Sequence, residues 1–308
     1  MPLPYRWQWR LERFKNALRG FFGGEQQPRP KLCPACGALV GISATRCHEC
    51  GASLRFSLAA LSKSLGGTIG GELPVTTVIL ILNLLLFGIS VLATSQATGD
   101  LNLFGSVSGL VLYRMGARQS IAILSGEWWR LVLPIFLHGG LLHIGMNTMI
   151  LVDIGSHVER IYGSARYLFL YVFTGICGFI ASTAWNLKVY RGYGVAIGAS
   201  GALAGLVGVM LGMTTGRGGS YAREIRTQMI RMVLYLVIMA ILPLGIDNAA
   251  HFGGLAVGFL LGKFMADRQP LNPTEFKRAY ALGWSAGIVV LVSFAFMFFH
   301  LKETLPTP

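Results

Sequence analysis

The sequence predicts an all-α polytopic membrane protein, because its composition, its charge distribution and its apolar segments agree. Apolar residues make up 53% of the 308 residues, charged residues make up only 13%, and the mean hydropathy is +0.58. The formal net charge of +13 could indicate a nucleic-acid partner. The Lys and Arg residues lie mostly between the apolar segments, however, as the loops of a membrane protein require. We therefore expect a lipid bilayer, and no nucleic acid, around this chain.

Seven apolar segments account for most of the chain after residue 75. They lie near residues 75–94, 141–152 (extending to about 162), 167–184, 200–215, 229–244, 249–265 and 281–299. Several are shorter than the roughly 20 residues that a helix needs to cross a bilayer. Short spans are expected where a bundle thins the bilayer or where the chain enters it irregularly. We predict a core of six transmembrane helices over residues 75–266, and a connection with a seventh helix over residues 267–308.

The first 30 residues are predicted to combine a basic helix with a linker. Apolar Trp7, Leu11, Phe14 and Leu18 recur three or four residues apart, and arginines flank them. This pattern is typical of a basic amphipathic helix. Such a helix either lies on an anionic membrane face or packs against the next domain along the same stripe.

A small zinc ribbon is predicted over residues 31–52, followed by a linker over residues 53–74. Two Cys-x-x-Cys pairs lie ten residues apart, and four thiolates at that spacing suit one tetrahedral ion. The predicted ligands of a structural Zn²⁺ are Cys33, Cys36, Cys47 and Cys50. A redox motif and an iron site of rubredoxin type are the alternatives, and the redox interpretation is disfavoured because it needs no second pair. We expect a protein partner for the ribbon, because phosphate binding needs more cations than the nearby Lys31 and Arg46.

The positive charges predict a cytoplasmic N-terminus. In that orientation, twenty of the 26 Lys and Arg residues lie in cytoplasmic segments and six lie outside. Cytoplasmic loops carry the excess of Lys and Arg in membrane proteins. The ribbon is then cytoplasmic, which suits reduced thiols, and the C-terminus lies outside. We expect the plasma (inner) membrane.

Two glycine-rich apolar segments carry a candidate nucleophile and a candidate base. Ser200 lies in GASG at residues 198–201, and His251 lies in AHFGG at residues 250–254. A Ser hydroxyl needs such a base, because it is a poor nucleophile at neutral pH. A single Ser in a membrane helix is more often a structural hydrogen-bonding group. An ionisable residue such as His251 is costly in a membrane segment and is usually functional.

A third motif places polar side chains in the second apolar segment. His138, His143 and Asn147 lie in FLHGGLLHIGMN at residues 136–147. His143 and Asn147 are four residues apart, so they share one face of a helix. Both side chains can donate a hydrogen bond to a developing oxyanion.

The motifs His-x4-His-x3-Asn, Gly-x-Ser-Gly and Ala-His-x-x-Gly-x-x-x-Gly, in that order, resemble those of the rhomboid family of intramembrane serine proteases. The pair Trp129-Arg130, which precedes them, matches the first-loop signature of that family. The resemblance covers about residues 75–265. It implies a rhomboid-like six-helix bundle, here with a seventh C-terminal helix. It also implies hydrolysis of peptide bonds in or near the transmembrane helices of other proteins, without a cofactor for catalysis.

By this resemblance, Ser200 is the nucleophile of a Ser–His dyad. His251 is the general base and then the acid that protonates the leaving amine. The oxyanion would be held by the Ser200 backbone N–H and by the side chains of His143 and Asn147.

The sequence leaves open how the His251 ring is held. In some relatives an aromatic residue packs on the histidine, and Ala204 stands at that position here. Asn248 is a further departure, because relatives often carry a His there. Asp247 lies four residues before His251 and could orient it. We favour the interpretation that Asp247 or Asn248 caps the helix.

Two rival classes of protein use the same residues differently. A proteolytically inactive rhomboid-like protein would bind membrane clients, but such relatives usually lack the Ser or the His, and both are present. An intramembrane metalloprotease could use His138, His143 and His251. The chain lacks the His-Glu-x-x-His motif that such a site would favour.

Overall fold

The computed structural model describes residues 31–33, 38–41, 44–51, 54, 74–99, 106–241 and 245–304. The chain divides into two compact units, Met1–Arg55 and Phe56–Pro308. The predicted basic helix, Cys36 and nearly all of the predicted linker over residues 53–74 lie outside the described residues. The domain boundaries given above therefore stay predictions.

The first unit contains a short antiparallel ladder that leads into its buried cysteines. Strand β1 (Lys31–Leu32) pairs with strand β2 (Leu39–Val40). Cys33 follows β1 directly, and its backbone N–H donates to the Ala38 carbonyl oxygen at 2.7 Å. Cys33 is fully buried, so this turn delivers its thiol to the interior of the unit.

The second unit is almost entirely helical, as predicted. Its helices are α1 (Pro74–Thr98), α2 (Gly109–Arg114), α3 (Ser120–Leu124), α4 (Leu141–Ile150), α5 (Ser156–Tyr162), α6 (Ser164–Tyr190), α7 (Ser200–Met213), α8 (Ser220–Ile241), α9 (Asn248–Phe264) and α10 (Pro273–Thr304). Among the described residues, three stretches are long and apolar enough to cross a membrane, Val75–Thr98, Ser164–Tyr190 and Pro273–His300. The shorter α7 is apolar as well. The chain is therefore an integral, multi-pass membrane protein.

Several predicted segments differ from the helices in their bounds. The segment predicted over residues 229–244 becomes α8, which begins nine residues earlier, at Ser220. The segment predicted over residues 141–162 is one continuous path, but a π-helical stretch, Leu151–Gly155, separates α4 from α5. The segment predicted over residues 281–299 becomes the longer α10. Asn272 explains its earlier start, because its side chain accepts a hydrogen bond from the Glu275 backbone N–H at 2.9 Å and caps the first turn.

A parallel pair of helices, α7 and α9, forms the centre of the second unit. α7 is buried along nearly its whole length. Glycines of α9 face backbone of α7 at three successive levels, Gly254 at Gly201, Gly258 at Gly205 and Gly262 at Val209. At each level, a methyl group on the α9 glycine would overlap the facing carbonyl oxygen. Small residues allow membrane helices to approach this closely, and the glycine patterns of both segments serve this contact.

A buried carboxylate fixes the start of α1. Glu159, on α5, accepts hydrogen bonds from the backbone N–H groups of Val75 and Thr76, both at 2.9 Å. It also accepts one from the Ser164 hydroxyl at 2.6 Å. The first N–H groups of a helix have no partner within the helix, and a negative charge there is favourable. Glu159 therefore ties α1 to α5 and α6.

The connection between α1 and α4 is compact in its described part, residues 106–140. It contains α2, the strand β3 (Arg118–Gln119), α3 and two short 3₁₀ helices, Trp128–Leu131 and Leu133–Phe136. The buried Arg130 donates from Nε to the Glu127 carboxylate at 2.6 Å and from Nη1 to the Tyr113 carbonyl oxygen at 2.7 Å. Strand β3 pairs antiparallel with β4 (Val195–Ala196), a ladder that the all-α prediction did not contain.

The last helix, α10, packs against this connection. The ring of Phe296 stacks on Trp129, with ring centroids 5.6 Å apart and planes 21° apart. It also meets Trp128 edge-on at 5.4 Å. One turn later, His300 lies 3.6 Å from the Glu127 carboxylate. Helix α10 therefore contacts the connection through both an aromatic cluster and a polar group.

Candidate active site

The side chains of Ser200 and His251 meet where α7 and α9 begin. Ser200 is the first residue of α7, and His251 lies in the first turn of α9. The distance from Ser200 Oγ to His251 Nε2 is 2.6 Å, which is a short hydrogen bond. His251 is 7% exposed, whereas Ser200 is half-buried. The hydroxyl is thus reachable from outside while its partner is shielded.

Glycines let the backbones around this pair approach. A Cβ at Gly201 would lie 3.4 Å from the Ala250 carbonyl oxygen, which precedes His251. A Cβ at Gly178, on α6, would lie 2.7 Å from the same oxygen, closer than real side chains come. Three helices therefore converge on the residue next to His251.

The first turn of α7 has free backbone N–H groups. Ala199 precedes the helix, and no side chain among the described residues caps it there. The first N–H groups of a helix lack partners within the helix and carry partial positive charge. The N–H of Ser200 belongs to this set, so the nucleophile candidate lies at a ready-made anion site.

His143 presents one ring nitrogen to the same place. Its Nδ1 accepts a hydrogen bond from the Gly139 N–H at 3.3 Å, so in the neutral ring the proton is on Nε2. Gly198 has φ 122°. A Cβ there would lie 2.7 Å from His143 Nε2 and 3.6 Å from Ser200 Oγ. His143 Nε2 therefore lies beside Gly198, in the immediate surroundings of Ser200 Oγ.

Asn147 and His138 flank His143. Asn147 is 4% exposed, and its Nδ2 donates to the His143 carbonyl oxygen at 2.8 Å. An amide nitrogen carries two donors, so one of them remains available. His138 is fully buried and meets His143 edge-on, with ring centroids 5.2 Å apart.

Asp247 caps α9. One of its carboxylate oxygens accepts from the Ala250 N–H at 3.1 Å, while Asn248 instead donates to the Ala240 carbonyl oxygen of α8 at 3.0 Å. His251 Nδ1 has no hydrogen-bond partner among the described residues. The capping interpretation of Asp247 is therefore confirmed, and the Asp247 carboxylate is not bonded to the ring.

Asp247 also has two partners that sequence reasoning missed. The Ser182 hydroxyl, on α6, donates to Asp247 Oδ2, and Arg118 Nη2 lies 3.5 Å from the same oxygen. Burial lowers the pKa of Arg118, and the Asp247 charge acts in the opposite direction. A lone Arg in a long connection gives no sequence signal of such a partner 129 residues away.

Three of the four predicted metal ligands lie together in the first unit. The buried thiols of Cys33, Cys47 and Cys50 all lie within 4.8 Å of one another, and Cys36 lies outside the described residues. The sulfur atoms of Cys33 and Cys50 are 3.7 Å apart. A disulfide needs about 2.05 Å. A tetrahedral zinc site with Zn–S bonds of about 2.3 Å places its sulfurs about 3.8 Å apart, so the spacing fits a shared metal ion.

Comparisons with known proteins agree with this arrangement. The family model of the Rhomboid domain matches residues 125–268. The chain is 39% identical over 155 residues to the rhomboid protease GluP of Bacillus subtilis (strain 168), covering 50% of this chain and 29% of that protein. It is equally identical over 155 residues to RHOMBOID-like protein 5 of Arabidopsis thaliana, covering 49% and 48%. It is 37% identical over 142 residues to the candidate rhomboid protease YdcA of Bacillus subtilis (strain 168), covering 46% and 69%.

The fold and the hydrogen-bonded pair define a helical, multi-pass membrane protein with a polar centre between two glycine-packed helices. The chain belongs to the rhomboid family, since its match to YdcA covers more than two thirds of that relative. It spans less than half of the length of GluP and of RHOMBOID-like protein 5.

Proposed function

We propose that the protein is an intramembrane serine endopeptidase that hydrolyses peptide bonds in or near the transmembrane helices of other proteins. The observation that carries the proposal is the 2.6 Å hydrogen bond between Ser200 Oγ and His251 Nε2. A membrane protein has little reason to bury an ionisable ring beside a half-exposed hydroxyl unless the pair has a chemical role. No cofactor is assigned to the reaction.

Acylation begins when Ser200 Oγ attacks the scissile carbonyl carbon and gives its proton to His251 Nε2. The carbonyl oxygen becomes an oxyanion, and the intermediate then collapses as the C–N bond breaks. His251 returns the proton to the leaving amine, which leaves an ester on Ser200 Oγ. Water, deprotonated by His251, attacks that ester. The bond to Ser200 Oγ then breaks, His251 returns the proton to Oγ, and the new carboxyl end is released.

Three donors are proposed to stabilise the oxyanion. They are the Ser200 backbone N–H, the Nε2–H of His143 and the second amide N–H of Asn147. Two observations support this role: the uncapped N–H groups at the start of α7, and the position of His143 Nε2 near Ser200. Donors held in place before the reaction act mainly on the transition state, and one of them is typically worth about 100- to 1,000-fold in rate.

The substrate class is proposed from the surroundings of the site. A scissile bond must leave the substrate helix before a nucleophile can reach its carbonyl carbon, because helical peptide groups are hydrogen-bonded. Helix-breaking and small residues near the bond would lower that cost. We expect cleavage near the outer membrane face, with the N-terminus and the ribbon in the cytoplasm and the C-terminus outside the plasma membrane.

The zinc ribbon is proposed as a separate cytoplasmic module of residues 31–52. Cys33, Cys36, Cys47 and Cys50 would hold one structural Zn²⁺, which supplies the folding energy that so small a unit lacks. Protease chemistry uses none of these atoms. The ribbon is proposed to bind a protein partner and so to select or regulate clients.

The protease proposal is tested with purified protein and a panel of single-span helical substrates in liposomes. The wild type should cleave at least one helix in the presence of a chelator, and Ser200→Ala and His251→Ala should each abolish cleavage. Both variants must stay folded and inserted. Chelator-sensitive cleavage that survives Ser200→Ala would instead favour a metalloprotease. Binding of helices without any cleavage by the wild type would favour the inactive client-binding protein.

The ribbon proposal is tested by metal analysis and by replacing all four cysteines with Ser. We expect one zinc per chain in the wild type and none in the variant, with cleavage of a generic helix in detergent unchanged. Loss of all cleavage in a variant whose membrane unit is still folded would contradict the proposal that the two modules are separate.

A further inference from the structure

Arg118 and Asp247 form a buried ion pair between the connection that precedes α4 and the start of α9. Their side chains are only 6% and 19% exposed, and Arg118 Nη2 lies 3.5 Å from Asp247 Oδ2. Buried charges are costly unless they are paired and hydrogen-bonded. A pair in this position therefore needs an explanation beyond stability.

The contacts of Asp247 all hold the first turn of α9. Its carboxylate accepts from the Ala250 N–H, from the Ser182 hydroxyl and from Arg118. Its backbone carbonyl oxygen accepts from the His251 N–H at 3.2 Å. The residue before the helix is thus fixed to α6 and to the connection, and the His251 ring follows one turn later on the same face.

The contacts of Arg118 lead towards Ser200. Arg118 Nη1 donates to the Ser120 hydroxyl at 3.2 Å, and that hydroxyl donates to the Asn186 side chain at 2.8 Å. Asn186 in turn donates to the Tyr193 carbonyl oxygen at 2.7 Å. Tyr193 lies in the turn between α6 and α7, so the polar chain runs from the cap of one helix to the approach to the other.

The backbone of Arg118 makes a second link to the same approach. Arg118 pairs with Ala196 in the ladder of β3 and β4. Two residues after Ala196, the Gly198 N–H donates to the Pro134 carbonyl oxygen at 2.8 Å. The connection between α1 and α4 therefore holds the segment that ends at Ser200. Arg118, in the same connection, is also the residue whose side chain pairs with Asp247.

We propose that Arg118 and Asp247 are a positioning pair that sets the distance and direction between the Ser200 hydroxyl and the His251 ring. This inference rests on the proposed protease function. The pair replaces the direct carboxylate–imidazole bond of a triad, because Asp247 holds the helix that carries the ring and not the ring itself. Neither residue contacts the reacting atoms, so both act through the backbone that each one fixes.

The effects of replacing Arg118 and Asp247 should not be additive. Removing one partner leaves the other charge buried without compensation, so the first turn of α9 or the β3–β4 ladder must shift. Removing both leaves no uncompensated charge. A shift of about 1 Å between reacting groups can reduce a rate by about 100-fold without weakening substrate binding. The signature is thus a loss of kcat with little change in KM, and no further loss in the double variant.

The experiment compares Arg118→Met, Asp247→Asn and the double variant in full-length protein in liposomes. Two measurements are made. One is kcat and KM for a helical substrate. The other is the rate at which an organophosphonyl fluoride labels Ser200, in which Oγ forms a bond to phosphorus and fluoride is released. We expect each single variant to lower kcat and the labelling rate by about 10- to 100-fold, with KM nearly constant. The double variant should be no slower than the slower single variant.

The matched control is the exposed pair Arg217 and Asp267, at the opposite end of α7 and α9. Arg217→Met and Asp267→Asn make the same charge changes there, and both rates should stay within about twofold of the wild type, as expected for exposed pairs. Arg118→Lys keeps the charge and should recover part of the loss. It also covers the case in which Arg118→Met does not fold.

Two results separate the inference from the function on which it rests. If the wild type neither cleaves nor reacts with the probe, the protease function fails and the inference falls with it. If the wild type is active and folded Arg118 and Asp247 variants keep wild-type rates, only the inference is wrong. Losses that multiply in the double variant would also overturn it, because the two residues would then act independently.

Discussion

Each end of the α7–α9 pair carries an Arg–Asp ion pair, and the two ion pairs differ in burial and in their other partners. At the N-terminal end, Asp247 is shielded, paired with a buried Arg118 and bonded to α6. At the C-terminal end, Arg217 and Asp267 form a bidentate pair with side chains 52% and 24% exposed. The two carboxylates are similarly exposed, at 19% and 24%, so the difference lies in the guanidinium, which is 6% exposed in Arg118 and 52% exposed in Arg217.

The two ends of α7 also differ in whether other groups bond their terminal backbone groups. At the C-terminal end of α7, the Leu211 and Gly212 carbonyl oxygens accept from backbone N–H groups, and the Thr214 carbonyl oxygen also accepts from Arg226 of α8. The first N–H groups at the N-terminal end have no side-chain cap among the described residues. The C-terminal carbonyl groups are hydrogen-bonded, whereas the N-terminal N–H groups remain available to a ligand. The N-terminal end is therefore the end suited to binding.

The largest effect is expected from the close glycine contact between α7 and α9, which lies between the two ends. A methyl group at Gly258 would overlap the Gly205 carbonyl oxygen, and backbone cannot move aside as a flexible side chain can. Gly258→Ala should therefore separate the helices, cost about 1–3 kcal/mol of stability and abolish cleavage. Thermal unfolding in detergent and the cleavage assay check this. Ala256→Leu, on the exposed face of the same helix, is the control, and an equal loss there would contradict a specific contact.

The next effect concerns the N-terminal end alone. Asn147→Ala removes one proposed oxyanion donor, so kcat should fall by about 100- to 1,000-fold while KM changes little. Steady-state kinetics on a helical substrate measure both constants. A rise in KM with normal kcat would mean that Asn147 binds substrate instead.

A smaller loss is expected at Gly198. Its φ of 122° is unfavourable for any side chain, and a Cβ would crowd His143 Nε2. Gly198→Ala should lower kcat by about 10- to 100-fold through displacement of Ser200 or His143. Gly216→Ala has a similarly positive φ but open space around it. It serves as the matched control and should leave kcat unchanged.

The smallest effect is expected at the C-terminal end. Exposed ion pairs contribute about 0–1 kcal/mol and are screened by salt. Arg217→Met should therefore lower thermal stability slightly at low salt and not at high salt. Unfolding curves at two salt concentrations test this, and a large loss that persists in high salt would show that this end is not simply a solvated surface.

Much of this architecture is readable in the sequence, because its determinants are local. The apolar runs identify the helices, and the glycines three or four residues apart identify the faces of α7 and α9. The ends of α10 were missed because hydropathy reports the middle of a helix, while the cap at Asn272 fixes its start. The structure brings the motif residues Ser200, His251 and His143 close together, and their catalytic roles stay predictions.

The support of the site was not predictable in the same way. Arg118 reaches Asp247 across 129 positions, and in the β3–β4 ladder it pairs with Ala196, 78 positions away. Such contacts depend on the path of the whole chain, and a single Arg or a two-residue strand has no periodicity to reveal it. The sequence favours a cap from Asp247 or Asn248 but does not choose between the two residues. The bonds of the Asp247 carboxylate and of the Asn248 amide do.

The stack of Phe296 on Trp129 joins the first connection to α10, the longest helix in the described part of the chain. Helix α10 has 32 residues and is about 48 Å long at 1.5 Å per residue, which exceeds a hydrocarbon layer of about 30 Å. A long helix adapts to a thinner bilayer by tilting. A tilt of α10 would move Phe296 and His300 relative to Trp129 and Glu127, and would also change the contact between α10 and α6 near Gly283 and Ala165. We therefore expect lipid chain length to affect the connection that carries Arg118.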